Sequence, residues 1–342
     1  MNNMHKEPVI TPVCAAGDIG SNKIRLTFFG IDANEKLVKC QTPDHITAMT
    51  CALAEGMSPD HKVIKEENIQ KAEKVLALIA ETLEDYGIAP ENTIAVATEA
   101  MRAVQGTEQG ESIYKRLNTA FGKYSFDIIS GQEEAILVGE AIMSHQLYHK
   151  HTQGQETVLG MAIGGGSLEI VKIHTATGAF EHPIALPYGM HPLKTIEDQF
   201  PGDEMAIERV LVPALTTNGI QPTHSILVMG GAWRTLSQVV CNKGSYVLTG
   251  KNIKKALTRA AYRPTSYYES HSNEKVQERA KNLPRAAATL NIITKFTAAK
   301  KIIFIDTKMD YALALRLHKK VQAKQSARQP SSPLTPAQAS LA

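Results

Sequence analysis

The sequence predicts an α/β protein made of two domains of one kind, and three observations predict it. A short strand runs into a glycine-rich turn and straight out into another strand at Cys14–Asn22, which continues into the alternating run Ile24–Ile31. The same pattern returns at Val158–Ser167, continuing into Leu168–Ile173. Both sets of flanks alternate at a period of two, as half-buried strands do. After each hairpin the chain turns to helical stripes separated by short apolar runs, so the second half repeats the first. At 342 residues there is chain enough for two domains, each with its own core. We place a first domain at 1–130, a second at 131–324 and a disordered tail at 325–342.

In order, 9–31 and 37–48 read as strands. Residues 66–87 read as a helix on the stripe Ile69, Ala72, Val75, Leu76, Ile79, Ala80 and Leu83, with Gly87 to end it. Thr93–Thr98 is a buried strand that runs into Glu99-Ala100-Met101-Arg102. A helix at 111–122 and a strand at Phe126–Ile129 follow, and Ser130 caps a helix that continues to about 147. In the second half come the hairpin 158–173, a helix near 203–218, a strand at Ser225–Met229 and then Gly230-Gly231. Helices at 251–261 and 273–296, a strand at Ile302–Ile305 and a helix near 309–323 complete the folded part. From Gln325 the Ser, Pro, Gln, Ala and Thr residues have little to bury.

Composition excludes more than it identifies. A hydrophobic share of 43% with 21% charged residues is ordinary for a globular chain. A net charge of +3 does not by itself imply nucleic-acid binding. The four cysteines, Cys14, Cys40, Cys51 and Cys241, show no CxxC spacing, so neither a zinc site nor a disulfide framework is expected. No apolar stretch reaches the ~18–20 residues of a membrane span, and the N-terminus does not read as a signal peptide. The expectation is a cytoplasmic protein without a membrane or nucleic-acid partner.

The glycine turns carry the chemistry. Gly164-Gly165-Gly166-Ser167 alone could be a flexible hairpin, but Gly20-Ser21-Asn22 answers it in the other half. Glycines free backbone N–H groups to curl around an anion, so the pair predicts a phosphate-bearing ligand in a cleft between the domains. Gly230-Gly231 is a third such turn, leading into a helix whose N-terminus adds donors and a favourable dipole. Glu133 and Glu134 open a helix, where acids are common; the functional alternative is a carboxylate that takes a proton from water. Arg102 after a strand is either a phosphate clamp or a solvated arginine. Glu169 is an acid on a strand face shared with Val171 and Ile173, which makes it a candidate metal ligand. His145, His149 and His151 read as a solvated helix end. The stripe Lys251, Lys254, Lys255, Arg259 and Arg263 reads as a solvent face that would also suit a long polyanion.

Six segments extend these readings: Gly17–Leu26, Ala97–Arg102, Ile128–Ala135, Ile163–Ile170, Leu186–Gly189 and Met229–Leu236. In this order they resemble the exopolyphosphatase / guanosine pentaphosphate phosphohydrolase family, a branch of the actin, Hsp70 and sugar-kinase superfamily, in its short two-domain form. The resemblance implies two actin-like (ribonuclease H-like) α/β domains with mixed sheets flanked by helices and an interdomain cleft. It implies water attack on the terminal phosphate of polyphosphate, or on the 5′ γ-phosphate of pppGpp, with Mg2+ or Mn2+ in the cleft. By resemblance Glu134 activates the water and Arg102 clamps phosphate. Ser21, Asn22, Lys23, Gly164, Gly165, Gly166, Ser167, Gly230 and Gly231 would cradle phosphate, and Asp18 and Glu169 would face the metal. A homodimer is a further expectation.

The chain also departs from the family. Ala162 stands where the family has an acid, at the place that Asp18 occupies in the first hairpin. Lys23 replaces a Ser, Leu168 a Thr, and Asp310-Tyr311-Ala312 the usual Arg-Glu-Gly. Hydrolysis of polyphosphate, ahead of pppGpp, is the first expectation. A weakly catalytic or inactive sensor that binds these polyanions is the second, and Ala162 is the feature that separates them. An ATP-dependent kinase fits less well, because no adenosine-site signature is evident.

Overall fold

The computed structural model describes residues 10–41, 48–57, 62–242 and 244–328. Residues 9 and 42–47 of the expected strands, and 329–342 of the expected tail, lie outside the described residues. The first sheet contains β1 (Cys14–Ile19), β2 (Lys23–Ile31), β3 (Leu37–Lys39) and β4 (Ala48–Thr50). After α1 (Glu66–Asp85) and a 3-10 turn come β5 (Thr93–Ala97), α2 (Glu99–Val104), α3 (Glu108–Ala120) and β6 (Asp127–Ile128). Then follow α4 (Gly131–Met143) and α5 (Gln146–Thr152).

The second sheet begins with β7 (Thr157–Ile163), β8 (Leu168–His174) and β9 (Phe180–Leu186). Helices α6 (Met190–Gln199) and α7 (Ala206–Thr217), strand β10 (Ser225–Met229), helix α8 (Gly231–Val240) and strand β11 (Val247–Thr249) come next. The chain continues through α9 (Lys251–Ala261), α10 (Thr265–Glu269), α11 (Glu274–Glu278), α12 (Leu283–Phe296), β12 (Lys301–Phe304) and α13 (Met309–Arg328).

Strand order shows the duplication. The first sheet runs β3-β2-β1-β5-β6, with β4 beside β2; the second runs β9-β8-β7-β10-β12, with β11 beside β12. In each, the first three strands are antiparallel neighbours and the next two join parallel to the first. This is the ribonuclease H-like order of an actin-like domain, present twice, and it confirms the expected fold class.

Helical periodicity explains the best-read elements. Helix α1 buries Ile69, Ala72, Val75, Leu76, Ile79 and Leu83, and Gly87 beyond it takes a φ of 66°. Misread segments have local causes. Strand β9 carries Pro183, which breaks the strand pattern and is tolerated because β9 is an edge. The expected helix through 147 stops at Met143, and His145 restarts it by accepting from the Leu147 N–H. The expected helix 273–296 divides into α11, a 3-10 turn and α12, with Pro284 in the first turn of α12. Beyond the expected strand, Glu99 to Arg102 form a helical turn. Helix α13 runs to Arg328, past the Gln325 at which the sequence reads as tail.

Each sheet has an apolar cluster on one face, and a third cluster lies between the sheets. That third cluster joins Ala16, Phe29 and Val96 of the first sheet to Val158, Val171 and Leu227 of the second through α4 and α13. Helix α4 lies on β7–β9, and α13 crosses back onto β1. Thr27 on β2 donates to buried Asp310 on α13 at 2.6 Å. Arg316 ties α13 to α4 by bonding Glu140 at 2.6 Å and also Glu133. These contacts fix the helix that carries Glu134. Among the described residues, no helix is long and apolar enough to cross a membrane.

Candidate active site

The two glycine turns close the same way. Gly20 N–H donates to Lys23 O at 3.0 Å, and Gly164 N–H donates to Ser167 O at 2.9 Å. What orients them is the fate of their carbonyls. Asn22 O accepts from the N–H groups of Cys51 and Ala52, and Ser21 O from Ala54 N–H. In the second turn Gly164 O, Gly165 O and Gly166 O accept from Met190, His191 and Gly189 N–H, at 3.0, 2.8 and 3.1 Å. All three donors belong to the cap and first turn of α6, where N–H groups have no partner within the helix. With the carbonyls held outward, no described residue accepts from the N–H groups of Ser21, Asn22, Gly165 or Gly166. Unclaimed N–H groups on two facing turns form an anion nest.

Glycine is required here for close approach. A Cβ on Gly165 would sit 3.1 Å from Asn22 Cβ, and one on Gly166 would come within 2.4 Å of Ser21 Oγ. Ser21 and Ser167 are buried beside them. Gly230 has a φ of 103°, and a Cβ there would meet Ile163 O at 2.8 Å. Gly231 makes room for Arg279, whose Nη1 would lie 2.1 Å from a Cβ. The third glycine turn therefore packs against the end of β7 and an arginine. Lys23 opens β2 and supplies the carbonyl that closes the first turn.

Acidic groups gather on one side. Ser130 caps α4 by accepting from Glu133 N–H, which sets the register that buries Glu134 at 7% exposure. Glu134 Oε2 accepts from Arg102 Nη2 at 2.9 Å. Arg102 also donates to Glu99 at 2.5 Å and to Ile129 O at 3.0 Å. Glu169 lies on β8 opposite Ala162 on β7, and its Oε1 is buried without a hydrogen-bond partner. Burial pushes Glu134 well above the usual carboxylate range; the Glu169 charge adds to this, and Arg102 opposes it. Burial likewise raises Glu169 to about 7, with the Ser167 hydroxyl and Arg102 pulling it back. A carboxylate that loses its proton near neutrality is suited to act as a base.

A basic group completes the surroundings. Asp18 on β1 pairs across the hairpin with Arg25 on β2, their side chains 3.6 Å apart. Burial raises Asp18 to about 6; Arg25 and Lys308 pull it down while Asp310 pushes it up. Arg25 also acts on Arg279 and Lys308, and burial with this repulsion lowers both, Lys308 to about 8. Arg234 holds Asp306 at 2.8 Å. Sequence reasoning gave no role to Arg25, Arg234, Arg279 or Lys308. Arg25 was legible, because a two-residue turn fixes it opposite Asp18; Arg279 and Lys308 arrive from distant segments and leave no local signal.

The structure thus brings Ser21, Asn22, Gly164–Ser167, Arg102, Glu134, Glu169 and Asp18 to one cleft. Glu133 turns instead to Arg316, and the α9 lysines lie on the face opposite buried Ile253, Leu257 and Ala260. Among the described residues no three His, Cys, Asp or Glu side chains form a metal cage.

Fold and site together define an α/β protein of two like halves in which two backbone N–H nests face each other beside a buried carboxylate. Residues 45–307 match the model of the Ppx/GppA phosphatase family, and the chain belongs to that family. Its fold is similar to the solved Aquifex aeolicus member of the Ppx/GppA family, with a TM-score of 0.69 at 20% identity over 91% of this chain and 98% of the other. It is also similar to an exopolyphosphatase from Cytophaga hutchinsonii, with a TM-score of 0.72 at 17% identity over 90% of this chain and 98% of that one. A comparison with curated proteins finds no match. Family membership supports a phosphohydrolase of the exopolyphosphatase type.

Proposed function

We propose that the protein releases terminal phosphate from inorganic polyphosphate, with pppGpp as a second substrate, in the cytoplasm. The observation that carries this reading is the set of unclaimed N–H groups on two facing turns beside a buried carboxylate. Such donors favour the tetrahedral anion without regard to what lies beyond it. Burial lowers the proton affinity of Arg279 and of Lys308, the Arg25 charge lowers both further, and a polyanion would relieve that repulsion. Glu134 takes a proton from the attacking water, and Arg102 holds the phosphoryl oxygens.

The donor set fits a hard divalent cation, Mg2+ or Mn2+, completed by phosphate oxygens and water. Asp18 and Glu169 each carry one buried oxygen that accepts no hydrogen bond among the described residues. When bound, the cation supplies charge neutralisation on the phosphate chain. Phosphate release from polyphosphate and pppGpp, measured with and without Mg2+ or Mn2+, tests the reading. Release that needs metal and disappears in Glu134→Gln is expected; release from neither substrate refutes hydrolysis.

Ala162 favours a second reading, a polyanion-binding sensor. It faces Glu169 across the hairpin and is 6% exposed, so the second turn has one acid where the family has two. Tight polyphosphate binding with no phosphate release would select this reading.

A further inference from the structure

Arg102 has five N–H donors, and the structure shows where three of them go. One Nη1 hydrogen goes to Ile129 O at 3.0 Å, and Nη2 serves Glu99 at 2.5 Å and Glu134 at 2.9 Å. Its remaining donors, Nε–H and one on Nη1, are not a pair that can grip a phosphate in the two-pronged manner of a guanidinium. Either carboxylate must leave Nη2 before an anion can be held that way. Glu134 is the more buried, its side chain 10% exposed against 24% for Glu99. Glu134 is also fixed on a helix pinned by Ser130 and by α13. Glu99 is at the start of the short helix α2, and its stem reaches across the cleft to the second turn: a Cβ on Gly166 would lie 3.0 Å from Glu99 Cγ. It therefore stands between the guanidinium and the nest.

We propose that Glu99 sets the anion affinity of the site, because it engages Arg102 Nη2 and is the group that a phosphate displaces. The inference rests on Arg102 being the clamp of the proposed function. Two consequences follow from charge alone. Any anion that takes Arg102 must uncouple the Glu99–Arg102 pair and then sit beside a carboxylate, so orthophosphate and tripolyphosphate both bind more weakly than the nest permits. Removing the charge while keeping the shape should therefore tighten both.

Calorimetric titration of the full chain with orthophosphate and with tripolyphosphate, in metal-free buffer at low salt, tests this. Glu99→Gln should tighten both ligands roughly tenfold, the size expected for one like charge a few ångströms away at a partly solvated site. Added salt should shrink the gain, a signature that a purely structural role would not produce. Glu99→Ala should also tighten binding, by less, because Arg102 then lacks one of its supports. Unchanged or weaker binding in Glu99→Gln, with Arg102→Ala weakened as expected, overturns the inference and leaves the clamp standing. Unchanged binding in Arg102→Ala overturns the clamp and this inference with it.

Discussion

The two glycine-turn hairpins have the same backbone and opposite chemistry. Each closes with one N–H···O bond of nearly equal length, and each has its carbonyls pulled outward by a neighbouring segment. At the paired strand positions, however, the first hairpin sets Asp18 against Arg25 and the second sets Ala162 against Glu169. The first acid is partly compensated by a cation across the strand, while the second faces a methyl group. The two hairpins therefore share their backbone donors and differ in the side chains beside them. The charge around the two hairpins differs as a result: Arg25 and Lys308 act on Asp18, while Arg102 acts on both Glu134 and Glu169.

The comparison breaks first at Glu134. Glu134→Gln keeps the size and a hydrogen bond to Arg102 but removes the base. Phosphate release should fall by roughly 10²–10⁴-fold while polyphosphate binding persists; an unchanged rate would move the base elsewhere. Next in size is Gly166→Val. The branched side chain would collide with Ser21 Oγ and the Glu99 stem, forcing the turns apart. Tripolyphosphate affinity should fall on the order of tenfold or more, since several backbone donors are lost together. Retained affinity would show that the turns do not act as a pair.

Ala162→Asp makes the second hairpin resemble the first. Restoring an acid opposite Glu169 should lower the Mg2+ concentration needed for half-maximal release by roughly several-fold. If neither metal dependence nor rate moves, the missing acid is not what limits turnover.

The second acid also bears on stability, a separate readout. Glu169 is raised to about 7 by burial, so the folded protein holds a proton that the unfolded chain releases near its ordinary value of 4.5. The folded state binds more protons between these values, and stability falls as pH rises through that window. The loss is on the order of 3 kcal/mol for a shift of this size. Melting in EDTA should therefore drop from pH 5 to pH 8, and Glu169→Gln should make the drop smaller, Glu134 and Asp18, also raised by burial, carrying the rest. A parent curve that rises over this range would contradict the assignment.

Much of this was legible in the chain because its signals are local. Two-residue periodicity marked β1, β2, β7 and β8, and the glycines between them marked the nests. The electrostatics was less legible, because Arg279 and Lys308 reach Arg25 only through tertiary folding. Helix α6 was hidden by Pro192 in its first turn and β9 by Pro183, yet the start of α6 is what turns the second nest toward the cleft. The partnership of Glu99 with Arg102 was within reach, being an i,i+3 pair, but only once those residues are seen to form a helical turn.

In the proposed function, backbone N–H groups on both turns take the phosphate. Amide chemical shifts test it residue by residue in metal-free solution, as tripolyphosphate is added to the labelled chain. Large, saturable shifts of the Ser21, Asn22, Gly165 and Gly166 amides with one common dissociation constant are expected. Shifts confined to one turn, or to the lysines of α9, would contradict it.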